Sequence, residues 1–97
     1  MIHMVFMKLE DGFLTDAVFG EYCETFRTIA EELPEEVKRA EVFRNCVDRE
    51  QNMDLLIRLE LKDEASLSKY LQNPHHIAIG EKMNPHVVKI ASFDHQV

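Results

Sequence analysis

Between Met53 and Leu61 the chain alternates, with Met53, Leu55, Ile57, Leu59 and Leu61 apolar and Asp54, Arg58 and Glu60 set between them. A period of two is that of a β-strand resting one face on a core. Ile2 to Leu9 is short, rich in β-branched and large apolar residues, and apolar on both alternating faces, which predicts a central strand covered on both sides. After it, "EDGF" predicts a turn and Thr15 or Asp16 offers an oxygen to cap a helix. Phe19, Tyr22, Cys23, Phe26, Ile29, Ala30 and Leu33 then recur at spacings of three and four, an amphipathic helix that Pro34 ends.

From about Arg39 to Val47, Ala40, Val42 and Cys46 alternate with Glu41, Phe43 and Asn45, predicting a strand with one wetter face; "DREQN" has the length of a hairpin connection. Asp63 caps a helix running to Leu71, whose apolar side carries Leu67, Tyr70 and Leu71. Asn73 before Pro74 reads as a fresh cap with proline in the first helical position, opening a second short helix to about Met83. Pro85 stops it, and "HVVKIASFDH" supplies the last strand.

The order β-α-β-β-α-β, with its second helical region broken in two, predicts an α+β ferredoxin-like sandwich: four antiparallel strands with the helices on one face. The other face would carry Leu56 together with apolar residues of the first and last strands. Pairing with the same face of a second copy covers it, so a symmetric homodimer is expected, with Arg58 and Glu60 making the seam partly wet.

A chain of 97 residues, 45% hydrophobic and 30% charged, reads as a single globular domain over 1–97. Folding at this length buries roughly 65% of the extended chain's surface, which leaves little margin without a partner. The net charge of −7 is scattered, so neither nucleic acid nor an anionic membrane is an expected partner. No cationic region precedes the short apolar run at the start and no small-residue cleavage site follows it, from which a cytoplasmic protein is expected. Cys23 and Cys46 form no C-x-x-C pair and are expected to be reduced.

"IHMVFMK", "NMDLLIRLELKDEASLSKYLQNPHH" and the closing "FDH" together resemble the stress-responsive dimeric A/B barrel (Dabb) domain along the whole chain. His3, Asn52 with Asp54, and the Tyr-x-x-x-Pro-x-His of Tyr70, Pro74 and His76 carry the resemblance most specifically. It implies a ferredoxin-like protomer whose sheet joins that of a second copy in a dimeric α+β barrel. Most such domains have no assigned reaction. The plant enzyme olivetolic acid cyclase, which closes a polyketide by an aldol reaction, is similar and implies Tyr70 and His76 as catalytic residues with His3 near them in the same cavity; an imidazole in that apolar strand needs a partner, and a ligand contact is one candidate. The family pattern His-Pro-x-His is Asn73-Pro74-His75-His76 here, so its first imidazole is absent.

An aldol closure needs a base beside a carbonyl and a donor for the developing oxyanion, which histidine and tyrosine can supply. His76 shares a helical face with Ile79, Gly80 and Met83, and Tyr70 one with Leu67 and Leu71, so both side chains are expected to point between helices and sheet. The structural alternative has Tyr70 packed with its hydroxyl on a backbone carbonyl, His76 locking the Pro74 turn, and His3 bonded to Tyr70 or a backbone group. The five histidines show no shared-ion spacing, so neither a metal nor a cofactor is expected. Asp94 and His95 are read as part of a solvated polar end, the glutamates around Pro34 as a solvated face, and the methionines as core or seam.

Three functions follow: a homodimer binding a small, mostly apolar organic molecule; a cyclase or lyase using Tyr70 and His76; and a non-catalytic structural protein with a packed interior. A cavity beside Tyr70 smaller than roughly 100 Å³ would select the third, since ordinary ligand pockets start near 300 Å³.

Overall fold

In the computed structural model, which describes residues 1–97, the alternation after Asp54 becomes strand β3 (Leu55–Leu61). Its odd-numbered residues are buried and its even-numbered ones half-buried, as the period of two requires. The other strands are β1 (Ile2–Leu9), β2 (Val37–Arg44) and β4 (Val87–His95), in the order β2-β3-β1-β4 with every neighbouring pair antiparallel. The helices are α1 (Asp16–Glu32), α2 (Glu64–Gln72) and α3 (Pro74–Met83), with a 3₁₀ turn at Asn84–His86 leading into β4. This is the ferredoxin-like α+β arrangement expected from the sequence.

Strand β2 is shifted toward the N-terminus, starting at Val37 rather than about Arg39, and β3 starts later than the alternation predicts. Strand β2 ends at Arg44, leaving Cys46 and Val47 in the connection, and β3 begins at Leu55 rather than Met53. One backbone bond, Asn45 N–H to the Asp54 carbonyl, continues the pairing past the strand ends, while the Asp54 N–H turns to the Met7 carbonyl on the neighbouring strand. The Asp54 carboxylate also accepts from Leu9 N at 2.8 Å, so this residue clips the hairpin onto β1 instead of extending β3.

Register decides which side chains face the helices. His3, Val5 and Met7 stand opposite Leu59, Ile57 and Leu55 on β3, and opposite Asp94, Ser92 and Ile90 on β4. Directly opposed residues share a face. The core forms where this face meets Tyr22, Phe26 and Ile29 of α1, Tyr70 of α2, and Ile79 and Met83 of α3. Met4, Phe6, Leu56, Phe43 and Phe93 lie on the opposite face, where Phe43 and Phe93 are exposed. Among them Arg58 donates to Glu41 at 3.0 Å, the wet element expected on this side.

Candidate functional site

The break between α2 and α3 places two of the expected residues. Asp63 caps α2 by accepting from Ser66 N at 2.9 Å and Ser66 Oγ at 2.8 Å. Asn73 closes this helix and opens the next: its backbone N–H donates to Tyr70 O, and its Oδ1 accepts from His75 N at 2.9 Å. Its Nδ2 reaches Glu32 Oε1 at 3.2 Å and ties the break to the end of α1. An asparagine thus serves as a cap, which needs a short side chain with an acceptor. Tyr70 in the last turn of α2 and His76 in the first of α3 are brought together, their ring centroids 4.6 Å apart.

His3 arrives from the central strand. Its ring meets Tyr70 edge-on with centroids 5.7 Å apart, so the three candidate residues form one cluster around the phenol. The partner of the buried His3 imidazole is neither Tyr70 nor a backbone group. It is the Asp94 carboxylate, hydrogen-bonded to Nδ1 from the facing position on β4. Asp94 is therefore a paired member of the sheet rather than part of a solvated tail. Carboxylate and Nδ1 together fix the ring's orientation and leave Nε2 for other contacts.

Beside this cluster lies a cavity of about 540 Å³, open to one side and lined mainly by apolar residues, with His3, Tyr70, His76 and Asp94 among the polar ones. The space beside Tyr70 thus has the size of an ordinary ligand pocket, above the roughly 300 Å³ at which such pockets begin. Ile79, Gly80 and Met83 share its wall with His76, as their helical spacing predicts.

Burial pushes the Tyr70 phenol well above its ordinary value, so it stays protonated at neutral pH. The structural alternative fastened its hydroxyl to a backbone carbonyl; in the structure the Tyr70 side chain borders the cavity instead. Burial also lowers His76, the neighbouring His3 adds to this, and the bond to Leu71 O opposes it. In the neutral ring Nδ1–H donates to Leu71 O at 3.0 Å, which leaves the lone pair on Nε2. The bond expected to lock the turn exists, and it is compatible with a free basic nitrogen on the same ring.

The remaining histidines lie elsewhere. His75 turns to Glu32 at 3.2 Å, His86 stacks on Phe13, and His95 reaches the Gln96 carbonyl. No three His, Cys, Asp or Glu side chains are arranged to hold a metal ion. No helix is long and apolar enough to cross a membrane.

A model of the stress responsive A/B barrel domain matches residues 1–97. The chain belongs to this family. No match is found among curated proteins. Solved structures similar to this A/B barrel domain include a dimeric protein of unknown function and ferredoxin-like fold from Bacteroides fragilis, with 18% identity, TM-score 0.82, and coverage of 99% of this chain and 94% of that one. A Dabb family protein from Mesorhizobium loti is 19% identical with TM-score 0.68, covering 99% and 94%. The hydroxynitrile lyase of Passiflora edulis is 14% identical with TM-score 0.77, covering 99% and 91%. At these identities the likeness establishes the fold.

Sequence reasoning did not single out Asp94 or Tyr22 as site residues. Asp94 was legible only through register: counting back from His3 along a paired strand reaches it, but that pairing is a tertiary fact. Tyr22 was placed in the apolar stripe of α1, where it sits; its hydroxyl is the feature the stripe does not explain.

Proposed function

We propose that residues 1–97 act as one domain of a homodimeric barrel that binds a small, mostly apolar organic molecule carrying an oxygen at its polar end. One observation carries this reading: a cavity of about 540 Å³ with an apolar wall and a convergent set of polar groups around Tyr70. Apolar walls supply affinity through water release, and the few polar groups set orientation. The exposed Phe43 and Phe93 on the opposite sheet face support pairing with a second copy. Calorimetric titration with acetophenone and cyclohexanone tests binding. Saturable heats, with NMR shifts confined to the methyl groups of Met7, Ile79 and Met83, are the expected result, and no response to either ketone overturns the reading.

A second reading, proton-transfer chemistry of the cyclase or lyase type, is favoured by the His76 geometry. With Nδ1–H committed to Leu71 O, the Nε2 lone pair can take a proton from a carbon beside a carbonyl. The C–H pair then becomes the enolate π bond, and the charge on oxygen is met by the Tyr70 hydroxyl. The enolate carbon can attack a second carbonyl in the same molecule, forming the new C–C bond, with the proton returned to the alkoxide. Exchange of acetophenone methyl protons in deuterium oxide reads the first step alone. Acceleration by the wild type that is lost in His76→Ala and reduced in Tyr70→Phe is expected; equal rates in all three remove the catalytic roles.

A further inference from the structure

Tyr22 poses a problem that the fold leaves unsolved. It is 2% exposed, it lines the cavity, and its hydroxyl is the one buried side-chain polar atom with no hydrogen-bond partner. Buried polar groups are nearly always paired, and an orphan destabilises the fold. A phenylalanine would keep the packing against the sheet and avoid that cost. The surrounding wall offers no remedy, since the cavity's neighbouring residues are mainly apolar. The side chain borders the cavity while its hydroxyl is closed to water in the unliganded chain, so a partner entering from the cavity reaches it once the side chains that cover it shift.

We infer that the Tyr22 hydroxyl is a binding group whose acceptor is an oxygen of the cavity's occupant, a ketone, aldehyde or similar carbonyl compound, forming a second anchor distinct from the Tyr70–His76 cluster. Its side chain comes from α1, whereas Tyr70 and His76 come from α2 and α3, so a molecule touching both phenols would be held across the helical layer. Burial, with the charge of Glu21 adding to it, pushes the Tyr22 phenol up to about 12, so at neutral pH it can only donate to an acceptor or accept from a donor as a neutral hydroxyl. Carbonyl oxygens fit as acceptors of the hydroxyl proton. This inference deepens the pocket reading and rests on it.

Acetophenone and ethylbenzene form the test pair, being similar in shape and differing in the acceptor oxygen. Their affinities for wild type, Tyr22→Phe and Tyr70→Phe are measured by calorimetry, together with the thermal midpoint of each free protein. Wild type is expected to favour acetophenone, and Tyr22→Phe to weaken acetophenone about 5- to 10-fold while leaving ethylbenzene unchanged, the scale of one buried neutral hydrogen bond. The free Tyr22→Phe protein is expected to melt at a higher temperature, because its orphan is gone. A higher midpoint with unchanged acetophenone affinity overturns the inference and leaves the pocket standing; so does an equal loss for both probes, which reports altered packing. Failure of both probes to bind wild type overturns the pocket reading and this inference with it. A lower midpoint for free Tyr22→Phe also counts against it, since the hydroxyl would then have a partner inside the protein.

Discussion

Asp94 on β4 and His3 on β1 face each other across the sheet, carboxylate to Nδ1, although 91 residues separate them in sequence. His3 is 6% exposed, whereas the Asp94 side chain keeps 42% of its surface in water. That asymmetry makes the two ends of the bond unequal. Asp94→Ala strands a buried imidazole N–H and is expected to cost about 1–3 kcal/mol in urea unfolding. His3→Leu leaves a carboxylate that water can solvate, so its cost should be smaller than that of Asp94→Ala. Equal losses would mean the bond is not formed in solution.

Stability should depend on pH through His76. Its folded value lies below the ordinary 6.5, so the unfolded chain binds the proton more readily. The contribution is therefore fully present above about pH 6.5 and is lost as pH falls from there through the lowered folded value. Thermal midpoints recorded from pH 7.5 down to 5.5 should decline, and His76→Gln should flatten the curve over this interval. A wild-type midpoint that rises on acidification contradicts the burial of the ring.

Tyr70→Phe separates packing from chemistry. The ring is 1% exposed and stays in place, while the hydroxyl it loses belongs to a side chain that borders the cavity. Unfolding free energy should change by less than about 1 kcal/mol, whereas Tyr70→Ala should lose about 3–5 kcal/mol through the void left in the core. Urea denaturation of the two variants checks the contrast.

Asn73 holds a helix junction rather than a ligand. Asn73→Ala removes the cap on His75 N and the tie to Glu32, with an expected cost of about 1–2 kcal/mol. Acetophenone affinity should follow only to the extent that Tyr70 and His76 move apart. A large affinity loss with unchanged stability would place Asn73 in the binding site itself.

The exposed sheet face predicts the assembly. Phe93 stands opposite Met4 on the edge strand β4, with 58% of its surface exposed, and shares its sheet face with Phe6 and Leu56. Sedimentation of Phe93→Glu should give a monomeric mass at micromolar concentration, where the proposed pairing predicts a dimer for the wild type. A wild-type monomer under these conditions removes the proposed pairing.

Much of the fold was legible because local chemistry and global arrangement agree here. Asp63 and Asn73 were readable as caps and Thr15 as one of two candidates, and each accepts the backbone bond its position predicts. Strand ends were misjudged where Asp54 turns its N–H to Met7 O and its carboxylate to Leu9 N on β1, because alternation measures exposure and says nothing about where a polar group finds its partner. Tyr70 and His76 were found together because one short break separates them in the chain.

By itself the sequence determined the order of elements, the face of each helix and strand that meets the core, and the nearness of Tyr70 to His76, all consequences of periods and caps acting over a few residues. Only the tertiary structure decided that Asp94 belongs to His3, that the helices leave a cavity of about 540 Å³ above the sheet, and that Tyr22 carries a hydroxyl with nothing to bond. Those facts depend on register and packing between segments far apart in the chain, where no local preference specifies the distance.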